Sequence, residues 1–325
     1  LMDSRSYATG TTPIEIKEGS QLAIVAAGWP LVEKVDSPGV QERRRGQFVP
    51  DKLRPHLRGD LSVRGTSTDN PGELLLDGLL VEGKLAVAQT ASDGQPASLG
   101  GLKVSHCTLV SPNGGIEVQG RNAQLHLRLE RTISGGVLVK PATAALEIAE
   151  SIVLGSIAAL ETPADIQSST IFGPSNVRRL DAGNSIFADV ATVTLRQEGC
   201  VRFSFLAQGS KTPRRFQCQP DTALDLRASA IAKEKGLPKP DPLDPAEIAL
   251  ITGRLRPLFT SMELAAPGFA QLSSLCSEEI RTGAEDGSEM GAFRHLLQPL
   301  RAANLRTSLT DYLRVGLEAG LFFVT

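Results

Sequence analysis

The stretch that decides the fold is LHLRLERTISGGVLVKPATAALEIAESIV, residues 125–153. It contains two short segments of alternating apolar and polar residues, Leu125-His126-Leu127-Arg128-Leu129 and Leu146-Glu147-Ile148. Each segment is soon followed by a polar residue, a hydroxyl residue and an isoleucine, first Arg131-Thr132-Ile133 and then Glu150-Ser151-Ile152. Alternation over so short a length predicts β-strands. The stretch therefore predicts two copies of one strand-containing unit.

Further copies of this unit flank the stretch. The full set of polar–hydroxyl–apolar triplets is Cys107-Thr108-Leu109, Arg131-Thr132-Ile133, Glu150-Ser151-Ile152, Ser169-Thr170-Ile171 and Asn184-Ser185-Ile186, with a looser copy at residues 77–80. Their hydroxyl residues are 24, 19, 19 and 15 positions apart. A unit this small cannot bury its own apolar face, but stacked copies pair each strand with its equivalents above and below. We therefore expect Thr108, Thr132, Ser151, Thr170 and Ser185 to form one column.

These repeats predict an all-β solenoid, a right-handed parallel β-helix, with a mainly helical C-terminal cap or extension. The leucine-rich repeat is disfavoured because its Leu-x-x-Leu-x-Leu-x-x-Asn frame is not found, and a β-propeller needs about 40 residues per blade. Three regions follow from the pattern. Residues 1–60 hold N-terminal strands or a cap and a long loop, residues 61–220 hold the coils, and residues 221–325 hold a Pro-rich linker and the helical extension.

The extension has its own local signals. Residues 236–242 are too rich in proline for a helix or a central strand. Asp244 and Pro245 have the residue types expected at a helix N-cap and first turn. Leucines at 305, 309, 313 and 317 predict an amphipathic helix over about 300–319 with one buried stripe. Residues 321–324 are predicted to close the chain as a strand.

Composition sets limits on function. The net charge of −2 provides no field that would recruit nucleic acid, and no apolar run approaches the 18 or so residues of a membrane span. No signal peptide is visible, and a chain that begins with Leu1 is expected to be part of something longer, so its localisation is left open. Four cysteines are too few for a disulfide scaffold. Buried free thiols are favoured for Cys200 and Cys218, although a bridge between them remains open.

Several longer segments resemble the carboxy-terminal region of a family of large bacterial proteins of unknown function with the pectate-lyase-like β-helix superfold. They are GCVRFSF (199–205), PRRFQCQP (213–220), GAEDGSEMGAF (283–293), QP (298–299) followed by ANLR (303–306), and YLRVGLEAG (312–320). The resemblance covers most of the chain. It implies a β-helix and origin in a larger bacterial protein, with a link to phage-tail-like or injection systems. It supplies no catalytic residue.

Two clusters are candidate sites. Glu285, Asp286 and Glu289 place three carboxylates in five residues, which is a ligand type that suits a hard cation such as calcium. The plainer alternative is an acidic loop that pairs with Arg281 or Arg294. Carboxylates in the coils do not pair in the predicted columns, because Glu130 and Glu150 are one position out of phase.

The second cluster is basic and aromatic. Arg202, Phe203, Arg214 and Arg215 could stack on a sugar or contact a nucleic acid. The net charge of the chain argues against nucleic acid. The plainer alternative is that the aromatic rings pack the last coil and the arginines pair with acidic residues of the extension.

We expect a non-catalytic β-helix scaffold or binding module that meets a polysaccharide or a protein along its coil face. No catalytic residue and no cofactor are predicted, apart from calcium at the acidic cluster. A pectate-lyase-like lyase or glycoside hydrolase is the alternative, and it requires two or more carboxylates within about 5–10 Å in a groove. A structural component of a phage-tail-like or injection system is the third hypothesis, with a trimer left open.

Overall fold

The computed structural model describes residues 1–44, 49, 52–88, 91–92, 94–109, 114–120, 122–140, 142–314, 316–318 and 320. The chain forms two compact units, Leu1–Ala164 and Asp165–Thr325. The region boundaries predicted from the sequence, near residues 60 and 220, remain predictions. Among the described residues, no helix has the length and apolar character that crossing a membrane requires.

The first unit is built almost entirely of short strands. They are β1 (Ser6–Ala8), β2 (Ile14–Ile16), β3 (Gln21–Val25), β4 (Leu31–Lys34), β5 (Ser37–Arg43), β6 (His56–Arg58), β7 (Leu61–Gly65), β8 (Glu73–Asp77), β9 (Leu80–Glu82), β10 (Lys84–Val87), β11 (Gly101–Ser105), β12 (Thr108–Leu109), β13 (Gly115–Val118), β14 (His126–Glu130), β15 (Ile133–Ser134), β16 (Gly136–Val139), β17 (Ala145–Ala149), β18 (Ile152–Val153) and β19 (Ile157–Gln167), which begins in this unit.

Parallel pairing organises these strands into three ladders. The first runs β1-β6-β9-β12-β15-β18, the second β2-β7-β10-β13-β16-β19, and the third β3-β8-β11-β14-β17. The chain visits the three ladders in the same order each time, as in β9, β10 and β11 and then in β12, β13 and β14. Residues 6–25 already supply one strand to each ladder, so the N-terminal strands continue the stacked arrangement.

The core of this unit consists of the inward residues of the alternating strands. In the third ladder, Leu74, Leu102, Leu127 and Leu146 lie in one register position, and Leu76, Val104, Leu129 and Ile148 lie in the next inward one. All eight side chains are at most 1% exposed. The alternation in sequence therefore corresponds directly to inside and outside.

Residues 34–55 were predicted to be a long loop, but the first part of this segment belongs to a β-hairpin. Strands β4 and β5 pair in antiparallel fashion through Leu31↔Arg43 and Val32↔Glu42. Most of their residues are exposed, so neither strand carries the apolar alternation by which sequence detects a strand. Part of the predicted loop, residues 45–48, 50 and 51, lies outside the described residues.

The predicted hydroxyl column needs correction at two of its five positions. Thr108 pairs with Ile133, which places Cys107 in register with Thr132 and Ser151. In the second unit Thr170 pairs with Ile186, so Ser169 is the residue in register with Ser185. The residue just before each column member has a positive φ, namely His106, Arg131, Glu150, Ser168 and Asn184. This left-handed corner, rather than the nearest threonine, fixes the register.

The column side chains satisfy the corner backbone. The backbone N–H of Thr132 donates to Ser151 Oγ at 3.1 Å, and Ser151 Oγ donates to the Ala149 carbonyl at 2.7 Å. Ser169 and Ser185 repeat the arrangement, since Ser169 N–H donates to Ser185 Oγ at 3.1 Å. Hydroxyl and thiol groups can accept one bond and donate another, so this position suits Ser, Thr and Cys.

The second unit contains short strands followed by helices. The strands are β20 (Thr170–Ile171), β21 (Ser175–Gly183), β22 (Ile186–Phe187), β23 (Ala191–Val193), β24 (Gly199–Arg202), β25 (Phe205–Leu206) and β26 (Arg214–Phe216). Parallel pairing joins β20, β22 and β25, joins β21 to β23 and β24, and joins β24 to β26. The helices are α1 (Asp221–Glu234), α2 (Pro245–Arg254), α3 (Glu278–Arg281) and α4 (Gln298–Tyr312), with a 3-10 turn at Arg294–Leu296.

The helix start predicted at Asp244 is confirmed, because its Oδ1 accepts from Ala246 N–H at 3.1 Å. The last helix ends at Tyr312 rather than near 319, and the expected buried stripe is wrong. No residue of α4 is buried, and Leu305 is 47% exposed. The predicted strand at 321–324 lies outside the described residues.

Part of the extension packs against strands of its own unit. Cys276, Ile280 and Met290 form a buried cluster with Ile186 of β22 and Phe205 of β25. Gly291 N–H donates to the Asn184 carbonyl at 2.8 Å, and Ala292 N–H donates to Thr170 Oγ1 at 3.1 Å. This part of the extension therefore lies along the side of these strands.

Candidate functional site

A shallow groove of about 510 Å³ follows the outward face of the third ladder in the first unit. We call it the ladder groove, and it is lined by β3, β8, β11, β14 and β17. One register position carries Gln21, Glu73, Gly101, His126 and Ala145, and the next outward position carries Ala23, Leu75, Lys103, Arg128 and Glu147. The groove floor is fixed because β8, β11 and β14 are hydrogen-bonded on both sides.

Charged side chains of both signs line the ladder groove. Lys103 Nζ lies 2.9 Å from Glu130 Oε2, and the guanidinium of Arg128 lies 3.6 Å from Glu130 Oε2 and 3.7 Å from Glu147 Oε2. Gln21 Nε2 donates to Glu73 Oε2 at 2.9 Å. Glu73 and Glu147 balance Lys103 and Arg128, so the groove has little net charge. Its side chains can donate and accept many hydrogen bonds.

Glu130 and Glu147 are neighbouring carboxylates that share one arginine, Arg128. Both contact the Arg128 guanidinium, so their oxygens lie no more than about 10 Å apart, which is compatible with the separations in glycoside hydrolases. The lowered pKa of Glu130 fits that chemistry poorly. A hydrogen bond from Lys103, together with the charges of Arg128 and Arg131, lowers the pKa of Glu130. A glycosidase needs one carboxyl group whose pKa is raised, so that it can serve as the general acid.

The register confirms that Glu130 and Glu150 are one position out of phase. Glu130 pairs with Ala149 in the third ladder, whereas Glu150 stacks on Arg131 at the left-handed corner, with 2.6 Å between Arg131 Nε and Glu150 Oε2. One coil earlier, His106 at the same corner lies 2.9 Å from Asp77 Oδ1. The corner side chains of Arg131 and His106 thus contact acidic side chains of neighbouring strands or corners.

The predicted basic and aromatic cluster is partly assembled. The rings of Phe203 and Phe216 meet edge to face with centroids 5.6 Å apart, and Arg202 pairs in register with Phe216. Arg215 turns to the extension instead, with Nη1 2.9 Å from Asp221 Oδ2 and Nη2 donating to the Ser210 carbonyl. Arg214 is exposed. The plainer alternative thus describes Arg215, while the other three residues remain a predicted binding surface.

The three carboxylates of the predicted cation site have different surroundings. Asp286 pairs with Arg294, with 3.0 Å between Oδ2 and Nη2, and accepts from the Ser288 N–H at 3.1 Å. Glu285 is exposed, whereas Glu289 is only 5% exposed and burial raises its pKa to about 7. Within the described part of the chain, no three His, Cys, Asp or Glu side chains are grouped so that they could hold a metal ion.

The four cysteines are free thiols. Cys107, Cys218 and Cys276 are buried, and Cys200 is half-buried. Burial raises the pKa of Cys107 to about 12 and raises the pKa values of Cys218 and Cys276 as well. Raised pKa values leave these thiols protonated and unreactive near neutral pH. The favoured prediction of buried free thiols is confirmed for Cys218. Cys200 is also free, but it is half-buried.

Sequence reasoning missed the ladder groove. It examined only the columns beside the hydroxyl residues, although the polar members of the alternating strands, such as Lys103 and Arg128, were a usable signal. Comparison of the chain with models of protein families, with curated proteins and with solved structures gives no match.

Proposed function

We propose that the chain is a right-handed parallel β-helix module of a larger bacterial protein and that its ladder groove binds a polysaccharide without cleaving it. The observation that carries this proposal is the repetition of outward polar and charged side chains at matching register positions on adjacent strands. Adjacent strands lie about 4.8 Å apart. Hydrogen-bonding groups therefore recur along the groove at a spacing close to the length of a sugar residue.

The lining favours a polysaccharide over a protein. Protein interfaces are depleted of charged residues at their cores and are enriched in aromatic residues. The described residues that line the groove include Glu73, Lys103, Arg128 and Glu147 but no aromatic side chain other than His126. Strand addition is also disfavoured, because β8, β11 and β14 already have partners on both sides.

The balance of charge favours an uncharged polysaccharide. A polyuronate would need a groove with excess positive charge, whereas Lys103 and Arg128 are already opposed by Glu130 and Glu147. The same ion pairs hold the side chains in defined positions before any ligand arrives. Preorganised groups lose less conformational entropy on binding.

The test is a glycan array that contains uncharged and anionic polysaccharides, followed by titration calorimetry with the best ligand. Arg128→Ala removes the central donor of the groove, and hydrogen bonds to charged groups contribute about 1.5–3 kcal/mol. We therefore expect roughly tenfold or greater loss of affinity. Arg58→Ala is the matched control, since Arg58 forms a similar exposed ion pair with Glu82 on the first ladder, away from the groove. A protein ligand, or equal loss in both variants, would contradict the proposal.

One observation favours a second candidate, a pectate-lyase-like lyase or glycoside hydrolase. Glu130 and Glu147 lie on neighbouring strands and share Arg128. A screen for lyase and hydrolase products on the same polysaccharides distinguishes the two functions. Activity that is abolished in both Glu130→Gln and Glu147→Gln would replace the binding proposal with the enzymatic one.

A further inference from the structure

The second unit contains a cavity of about 310 Å³, which we call the Glu289 cavity. Its wall comes from three separate stretches of this unit: residues 271–274 with Thr260, the segment that carries Arg281 and Glu289, and the start of α4 at Gln298 and Pro299. Polar side chains dominate the lining. Apart from Glu289, Arg281 is the one charged side chain among the described residues that line it.

Glu289 is buried without a partner. The residue is 5% exposed, and within the described residues no donor is hydrogen-bonded to its carboxylate and no Lys, Arg or His nitrogen lies within 4.0 Å of it. Burial of an unpaired carboxylate is costly, and native structures normally satisfy such groups. Burial accordingly raises the pKa of Glu289 to about 7, against a smaller opposing effect of Arg281.

Arg281 lines the same cavity but does not close onto the carboxylate. Its Nη1 donates to the Ser274 carbonyl at 3.2 Å, which uses one of the five N–H donors of the guanidinium. Two opposite charges thus line one cavity without touching. The space between them suits a ligand that carries a positive group for Glu289 and a negative group for Arg281.

The wall that carries Glu289 is held firmly. On its C-terminal side, Met290 N–H donates to the Ile280 carbonyl at 3.1 Å, and Gly291 N–H donates to the Asn184 carbonyl at 2.8 Å. Met290 and Ile280 also belong to the buried cluster of this unit. These contacts fix the backbone that places Glu289 on the wall of the cavity.

We propose that the Glu289 cavity binds a free α-amino acid, with its ammonium group on Glu289 and its carboxylate on Arg281. An amine alone would leave its charge facing Arg281 without compensation, and a carboxylate alone would face Glu289. A sugar would donate hydrogen bonds but would neutralise neither charge. The cavity volume accommodates a molecule of this size, and this site is independent of the ladder groove.

The experiment is titration calorimetry of the whole chain with each proteinogenic L-amino acid at millimolar concentration, alongside ethanolamine, acetate and glucose as probes. The ligand needs Glu289 ionised, and a carboxyl with a pKa of about 7 is about one-tenth ionised at pH 6 and about nine-tenths ionised at pH 8. Affinity should therefore rise about tenfold between these pH values. Binding at pH 6 should release a proton, which shows as a heat that depends on the buffer.

Glu289→Gln keeps the shape of the side chain and removes its charge, and it should weaken amino-acid binding at least tenfold and abolish the pH dependence. Glu285→Gln, which changes an exposed carboxylate of the same loop, should bind like the unmodified chain. Circular dichroism checks that both variants fold, and the pH profile of the unmodified chain tests the proposal without any variant. The proposal is overturned if no amino acid binds, if ethanolamine, acetate or glucose binds as well as the best amino acid, or if Glu289→Gln binds unchanged.

Discussion

Ser151 illustrates how a single side chain stabilises a corner between strands. Its Oγ accepts from the buried Thr132 N–H and donates to the Ala149 carbonyl, so a backbone donor that no strand pairs is satisfied from the next coil. Glu150, the residue before it, has the left-handed conformation at φ 48°. The corner thus depends on the combination of a left-handed residue and a small residue that both donates and accepts.

Replacing Ser151 tests this role. Ser151→Ala leaves the Thr132 N–H without its acceptor, and a buried unsatisfied donor costs about 1–3 kcal/mol. We expect the free energy of unfolding in urea to fall by that amount. Ser151→Thr retains the hydroxyl, and Thr132 shows that the column accepts threonine, so this variant should lose clearly less. Equal losses in the two variants would contradict the assigned hydrogen bonds.

The raised pKa of Glu289 predicts that the free energy of unfolding depends on pH. Its pKa is about 7 in the folded chain, against an ordinary value of 4.5. Between these values the unfolded chain has lost the proton and the folded chain still holds it, so the free energy of unfolding falls as pH rises. The fall is complete above pH 7 and amounts to at most about 3 kcal/mol.

Urea unfolding between pH 4.5 and 8 measures this effect. Glu289→Gln has no proton to lose and should show a smaller decrease than the unmodified chain over that interval. Glu285→Gln should follow the unmodified chain. An identical pH profile for Glu289→Gln would show that Glu289 is not buried as described.

The leucines of the strands and the leucines of α4 differ in burial. Leu127 of β14 is 1% exposed and lies between Leu102 and Leu146 in the core column, whereas Leu305 of α4 is 47% exposed. Leu127→Ala should cost about 2–5 kcal/mol through lost burial and an unfilled cavity. Leu305→Ala makes the same chemical change and should cost less than about 1 kcal/mol. Comparable losses in urea unfolding would show that α4 is packed after all.

The strands were predictable and the register was not wholly so. Alternation of apolar and polar residues, as from Leu125 to Leu129, indicates a strand with one buried face. The apolar residues then point inward and the polar residues outward. The predicted column is wrong at Thr108 and Thr170 because it was defined by hydroxyl residues followed by Ile or Leu. In the structure, the thiol of Cys107 and the hydroxyl of Ser169 occupy those two positions. The left-handed corner residues have no common chemistry, since His106, Arg131 and Asn184 all serve.

The helices and the candidate sites show why local pattern is insufficient. The leucine spacing in α4 predicted burial, but periodicity describes only one side of a contact and does not supply the partner. The ladder groove combines residues of strands that lie 19 to 52 positions apart in sequence, and only the strand register brings them together. The surroundings of Glu289 depend on residues 260–274 and on α4, and no motif links those stretches to Glu289.

At the scale of the whole molecule, the balance of charge in the ladder groove makes a prediction about ionic strength. Uncharged ligands displace no ions, and the opposed charges of Lys103 and Glu130 lie in direct contact, where salt screens them little. Polysaccharide affinity should therefore change less than about twofold between 50 and 500 mM sodium chloride. A steep decrease with salt in calorimetric titrations would indicate an anionic ligand and would contradict the assigned class.

Binding of a polysaccharide in the ladder groove can be tested by a crystal structure of the chain with the tightest polysaccharide fragment from the array. We expect the fragment to lie across β11, β14 and β17, with hydrogen bonds from Lys103, His126 and Arg128 and with its glycosidic bonds intact. A fragment bound at Phe203 and Phe216, or cleaved beside Glu130 and Glu147, would contradict it.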